Sequence, residues 1–292
     1  MNGRERGSRV SRGAHIAGAA AVLTAAALLY GACSTVNGTG KGAGEQDGSG
    51  TRRPERIMVE GVIDFTRSPY REMLRTTPHK GQPVFFASVP RRADRDEEYE
   101  TGISALAAQA ARWKQADITA KFLVKKSNTE MGYLEEVEVS VDRDRQEALR
   151  DDIEVLACYS DRGGTYLSGT LPGETHEDLP LSASSPSEKP PWVFTPPEYE
   201  GYRTGVGVAN RHMYFSDSIR AADEQAMANL ARQFDIQVEK KRLDLEQTGG
   251  TAFTQYTIQR SNVVLQGVYI LDRWISPDGN NYYSLAVVPE EQ

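Results

Sequence analysis

The chain has 292 residues, 41 acidic against 34 basic side chains for a net charge of −7, and 39% hydrophobic residues. That balance repels nucleic acid and anionic headgroups, so no nucleic-acid partner is expected. Two cysteines and four histidines leave little material for a disulfide framework or a metal centre.

In chain order, Arg4, Arg6, Arg9 and Arg12 precede an apolar run over 16–30, and Gly31 and Ala32 then lead into Cys33. A basic region, a short apolar region and a small-residue cleavage site form a secretory signal over 1–32. The competing reading is an uncleaved anchor. The run is about 15 residues, short of the ~20 that a spanning helix needs, and Gly18 weakens it further. Leu29-Tyr30-Gly31-Ala32-Cys33 resembles the lipobox of bacterial lipoproteins, with Tyr30 where leucine is usual. The resemblance implies lipidation of Cys33, palmitate included. Loss of 1–32 removes four Arg and one Glu and takes the net charge from −7 to about −10, so acyl chains must supply the membrane affinity. Ser34 carries no inner-membrane retention charge, which points to the outer membrane, facing the periplasm or the surface. With Cys33 acylated, Cys158 has no disulfide partner within the chain.

Residues 33–53 form a Gly-rich polar tether without apolar periodicity. At about 20 residues it reaches roughly 25 Å, enough to hold a folded body off a membrane. A first α+β domain is expected over 54–172. It opens with a strand over 57–65 and continues with a strand over 84–89. A helix follows within 94–115, where Tyr99, Ile103, Leu106, Ala110 and Trp113 make one stripe. Val137, Val139 and Val141 alternate with polar residues as in a half-buried strand, and strands over 155–159 and 166–171 flank a turn at Asp161-Arg162-Gly163-Gly164. Residues 173–189 read as a Pro/Ser linker. Trp192 and Phe194 then mark a lead-in that docks on the adjoining domain.

The second domain, 190–292, runs through similar steps. A strand over 202–209 precedes a helix over 216–234 whose stripe is Phe215, Ile219, Ala222, Ala226 and Leu230. Each helix leads to an Asp-Ile pair and a Lys-containing extended stretch. A strand over 263–275, a turn around Asp278-Gly279 and a strand over 282–288 close the chain. Landmarks recur at nearly constant offset: Arg92 to Arg211 is 119 residues, Tyr166 to Tyr283 and Pro172 to Pro289 are 117. The expected fold is therefore α+β, two tandem domains that each pack an antiparallel sheet on one helix. Two unrelated α+β halves remain the alternative.

Chemistry is sparse. His15 leaves with the signal, and His79, His176 and His212 are scattered. No paired histidine at ligand spacing and no activated-serine motif appears. Cys158 ends an apolar strand, where burial is the better reading than nucleophile. Gly205-Val206-Gly207 lacks the third glycine of a phosphate-binding turn, and its glycines suit close approach of the crossing helix. The acidic runs 94–98 and 135–138 read as a solvated helix start and strand face. No catalytic, metal or cofactor-binding residue is assigned, no cofactor is expected, and the chain reads as a non-enzyme.

Pro191-Trp192, Gly205-Val206-Gly207-Val208-Ala209, the Ala-rich helix with Ala221, Ala222, Ala226 and Leu230, Leu265-Gln266-Gly267-Val268, Trp274, Asp278-Gly279 and Tyr283-Ser284-Leu285-Ala286 together resemble the LPP-twenty family of bacterial lipoproteins over about 190–289. Residues 83–172 would be a degenerate second copy lacking the Gly-Val-Gly strand. The resemblance implies a dodecin-like fold on a lipid-anchored envelope protein, surface or outer-membrane antigens among its members and flagellar-motor structural parts among its relatives. The expected function is a structural or interaction module, attached to the membrane by its lipid and partnered by envelope proteins or by a second copy. The alternative is a ligand-binding lipoprotein, with a small molecule held between helix and sheet or between the repeats. An apolar cavity at Trp113, Trp274 or Tyr283 would mark it.

Overall fold

The first block begins with a strand far shorter than its sequence suggests. In the computed structural model, which describes residues 54–127, 131–174, 189–234, 237–247 and 250–292, β1 is Arg56–Met58 alone. The signal segment with Cys33, the tether, His176 and most of the linker lie outside the described residues. β1 stops because Asp161 accepts the Ile63 N–H at 2.5 Å and Gly61 turns the chain at φ +94°.

β2 (Val84–Pro90) leads into α1 (Arg95–Lys114). Asp94 caps α1 by accepting the Asp96 N–H at 2.8 Å. Asp96, Glu97 and Glu98 complement its positive end, and Arg112 and Lys114 its negative end. The expected stripe faces the core, with Tyr99, Leu106, Ala110 and Trp113 buried. β3 (Ala116–Ser127), β4 (Met131–Ser140), α2 (Arg143–Arg150), β5 (Glu154–Ser160) and β6 (Gly164–Thr170) complete the block. α2 has no counterpart in the sequence reading. It is eight residues long, mostly charged, and buries no residue, so hydrophobic periodicity could not announce it. Asp142 caps it through the Asp144 N–H at 2.9 Å.

The second block comprises β7 (Tyr202–Asn210), α3 (Phe215–Phe234), β8 (Gln237–Gln247), β9 (Gly250–Leu265), β10 (Tyr269–Ile275) and β11 (Asn281–Pro289). The single strand expected over 263–275 is two strands. Gly267 takes φ +75° between them, and its N–H is bound by the Trp113 carbonyl at 2.8 Å. The chain is α+β, as its sequence indicates.

Strand order in the first block is β1-β5-β6-β2 and in the second β10-β11-β7, so β5-β6-β2 and β10-β11-β7 correspond. Registers correspond as well: Phe86 lies opposite Ser168, and Val206 opposite Leu285. Each sheet carries an irregularity at the same place, between Val155 and Ala157 in one and between Ile270 and Asp272 in the other. By this register Arg91, not Arg92, corresponds to Arg211, and the strand-to-helix offset is 120 residues.

The blocks are joined twice over. A sheet of order β4-β3-β9-β8 pairs β3 with β9 from Ala116 opposite Leu265 to Ser127 opposite Thr254. The apolar cores are also shared: Phe85, Leu106 and Trp113 pack with Trp274 and Leu285, and Phe65 and Phe86 with Ile219 and Tyr282. Of the two lead-in aromatics, Trp192 is buried and donates Nε1–H to Asp272 at 3.0 Å. Phe194, expected to dock, is instead 72% exposed under the Lys189 ammonium, 4.0 Å from its ring centroid.

Candidate functional site

The sequence singled out few side chains for chemistry, and the fold scatters them. Cys158 is buried in the core on β5, beside Arg56. His79 sits in an isolated backbone bridge with Gln82, its imidazole pushed below the ordinary range first by burial and then by Lys80. Trp113 and Trp274 are buried in the core, and the Tyr283 ring lies 5.4 Å from that of Trp274. No group of three or more metal-binding side chains occurs among the described residues.

A cleft of about 560 Å³ lies between the two blocks. One wall is the 62–66 loop and the β5–β6 turn, and the other is the β7–α3 loop and the start of β11. Its floor is aromatic. Phe65 stacks on Phe215 at 4.8 Å and 19°, Tyr166 meets Phe65 edge-on at 4.8 Å, and Tyr282 meets Phe215 at 5.9 Å. These contacts hold the two walls in register through ring geometry as well as apolar burial. At the rim the protein leaves large apolar side chains in water: Val62 is 68%, Met213 87% and Tyr214 50% exposed.

Asp161 builds the first wall. Its carboxylate accepts the N–H groups of Ile63, Gly163 (2.7 Å) and Gly164 (2.9 Å) and faces the Tyr166 hydroxyl at 3.3 Å. Burial, then the Asp161 charge, raises the Tyr166 phenol well above its usual value, so it stays a neutral donor. The turn so fixed carries Arg162 at the rim, its N–H bound to the Gly61 carbonyl at 3.1 Å. Across the cleft the Arg211 N–H binds the Asn280 carbonyl at 2.9 Å. Its charge acts on the Tyr282 hydroxyl, whose affinity for its proton burial nevertheless raises.

Arg91 and Arg211 occupy corresponding places but face different partners. Arg91 Nη1 binds Glu98 at 2.8 Å, and the same buried carboxylate takes the Arg92 N–H at 2.7 Å, Arg95 at 2.6 Å and the Thr165 hydroxyl at 2.5 Å. Burial alone would raise the Glu98 carboxyl, but those four donors together hold it below the ordinary range. In the second block Ser218 stands where Glu98 does, and its Oγ takes the His212 N–H at 2.9 Å. Among the described residues no carboxylate pairs with Arg211 or Arg162.

The sequence missed Glu98 because it closes an acidic run that resembles a solvated helix start. The flanking Arg91 and Arg95, seven and three residues earlier, were the available signal. Two further buried carboxylates are structural. Asp223 receives Arg273 Nε and Nη2 at 2.9 Å each and the Ser284 hydroxyl at 2.6 Å, and Asp272 receives Arg71 at 3.1 Å. A shallower groove of about 440 Å³ runs between α1 and α3 past Gln109, Arg112 and Asp223.

No curated protein and no solved structure matches the chain. The block with the Gly-Val-Gly strand, residues 190–289, matches the family described as LPP20 lipoprotein.

Proposed function

We propose that this chain is a bacterial lipoprotein whose Cys33 carries the membrane anchor and whose folded part serves the cell envelope as a structural or interaction module rather than as an enzyme. The match of residues 190–289 to the LPP20 lipoprotein family carries the reading. The signal layout before Cys33 supports the anchor, and the uncharged Ser34 favours the outer membrane. The corresponding strand order, register and bulge position of the two blocks favour a duplicated unit. β4 and β8 end their sheet, and an end strand offers backbone groups to a partner strand, from an envelope protein or from a second copy. The buried carboxylates Glu98, Asp223 and Asp272 are each held by arginine, which suits scaffolding better than acid–base work. Metabolic palmitate labelling of the wild type and Cys33→Ala tests the anchor. Labelling confined to the wild type is expected, and equal labelling overturns it. Crosslinking in the native envelope tests the module, and recovery of neither a partner nor a self-adduct overturns that part.

A second reading, a ligand-binding lipoprotein, is favoured by one observation: the aromatic cleft lies between the two blocks.

A further inference from the structure

We infer that the cleft between the blocks binds a small amphipathic anion, an aromatic or aliphatic body bearing one carboxylate, sulfonate or phosphate. The inference deepens the ligand-binding reading and is independent of the anchor.

Three observations converge on it. The cleft's 560 Å³ lies within the range of about 300–1,000 Å³ that small-molecule sites occupy. Its floor is rings and its rim is Val62, Met213 and Tyr214, so an apolar body is what it would remove from water. The charges at its mouth are unequal. Asp64 is held by Arg67 at 3.2 Å and by the Thr66 N–H and hydroxyl, and Arg91 is held by Glu98. Arg162 and Arg211 have no carboxylate among the described residues, and His212 stands beside them. On a chain of net charge −7, a mouth left positive is a local exception.

The comparison of the blocks isolates the cause. Glu98 absorbs the arginine at the end of β2, whereas Ser218, at the same place after β7, is uncharged. Its hydroxyl accepts the His212 N–H and donates to the Tyr214 carbonyl at 3.2 Å, which leaves Arg211 at the cleft without a carboxylate among the described residues. A planar guanidinium on each wall suits an oxygen-rich head between them, with the body lying on the ring floor.

The test uses the folded, signal-free chain and two fluorescent probes of similar ring content. Anilinonaphthalene sulfonate is anionic and N-phenylnaphthylamine is neutral. Saturable binding of the anionic probe to the wild type is expected, weakened by salt. The Arg162→Ala/Arg211→Ala variant should weaken it by about tenfold or more, as loss of charged hydrogen bonds predicts. Arg143→Ala, on the exposed surface of α2, should leave it unchanged. Binding of the neutral probe should not depend on the arginines, and unchanged thermal unfolding of the variants shows that the fold is intact. Wild-type affinity in the double variant overturns the inference while leaving the ligand-binding reading in place. Saturable binding of neither probe overturns both. Competition by inorganic phosphate as strong as that by phenyl phosphate overturns the need for an apolar body.

Discussion

The two blocks seat a 20-residue helix on the same three-strand arrangement, yet they place the close approach on opposite partners. In the second block the strand gives way. A Cβ on Gly207 would stand 2.2 Å from the Ala222 carbonyl oxygen and 2.3 Å from the Ala226 nitrogen, so the α3 backbone lies directly on β7. In the first block the corresponding strand residues are Phe85 and Ala87, and the room comes from the helix: the atoms nearest a Cβ on Gly102 all belong to the Leu167 side chain, with Cδ1 at 2.3 Å. A backbone contact cannot yield, but a leucine tip can rotate. The same helix-on-sheet arrangement therefore tolerates substitution unequally in its two versions.

The largest expected effect concerns a charge that only one block has. Asp272 corresponds to Ala157 of the first block, each opening the strand segment after the bulge. Asp272 holds Arg71 and Trp192, both buried. Asp272→Ala makes the second block like the first but strands the Arg71 guanidinium without its carboxylate. A loss of about 3–5 kcal/mol is expected in urea unfolding. Adding Arg71→Met should recover part of it, since no buried charge is then left uncompensated, while the Trp192 N–H still lacks the Asp272 carboxylate.

Next come the glycines. Gly207→Ala should destabilise by about 2–3 kcal/mol, because β7 and α3 must move apart. Gly102→Ala should stay within about 1 kcal/mol, since Leu167 can shift and alanine favours the helix. Equal losses in the two variants would contradict the unequal placement.

Much of this comparison was legible in the sequence, and the reasons are local. The stripes of α1 and α3, the Asp278-Gly279 turn, the burial of Cys158 and the packing role of Gly205 and Gly207 all follow from periodicity or residue type within a few positions. What escaped depends on distant partners. The three-residue β1 could not be foreseen because Asp161, far along the chain, captures Ile63 N–H. The β3–β9 pairing joins strands well over a hundred residues apart, and nothing in either strand names the other. The cleft is of the same kind, assembled from five loops and strand ends of both blocks. Only alignment of the blocks at an offset of 120, rather than 119, would have set Arg91 against Arg211 and Glu98 against Ser218.

That last pair gives a pH prediction confined to one block. Glu98 has its carboxyl held below the ordinary range in the folded chain, so its stabilising contribution is full above the unfolded value of about 4.3. The contribution is lost as pH falls through the lower folded value. Glu98→Gln should lower stability at neutral pH by about 1–3 kcal/mol, because four hydrogen bonds to a carboxylate lose their charge assistance. It should also flatten the fall in stability below about pH 4.5, where the wild-type carboxylate is protonated. Ser218→Ala in the second block should leave the acid slope as it is, since a hydroxyl does not titrate there. An unchanged acid limb in Glu98→Gln would assign that limb to other carboxylates, the depressed Asp64 first among them.

The smallest expected effect asks whether the blocks are equivalent in their polar detail. Gln109 of α1 donates Nε2–H to the Phe86 carbonyl at 2.5 Å, and Asn229 of α3 donates Nδ2–H to the Val206 carbonyl at 2.7 Å. Both pairs are 23 residues apart, and both strand carbonyls stand at the same register of their sheets. Each amide oxygen also faces an arginine, Arg273 at 3.5 Å for Gln109 and Arg232 at 2.6 Å for Asn229. Truncation to alanine removes one hydrogen bond to a strand carbonyl in each case, so Gln109→Ala and Asn229→Ala should each lose about 1 kcal/mol. Arg273 keeps Asp223 after the first change and Arg232 keeps Glu135 after the second, so neither guanidinium is stranded. The two losses should therefore match within about 0.5 kcal/mol in paired denaturation curves, and they should add in the double variant as independent sites do. A large loss in one block with none in the other would mean that the shared topology does not extend to the hydrogen bonds that lock helix to sheet.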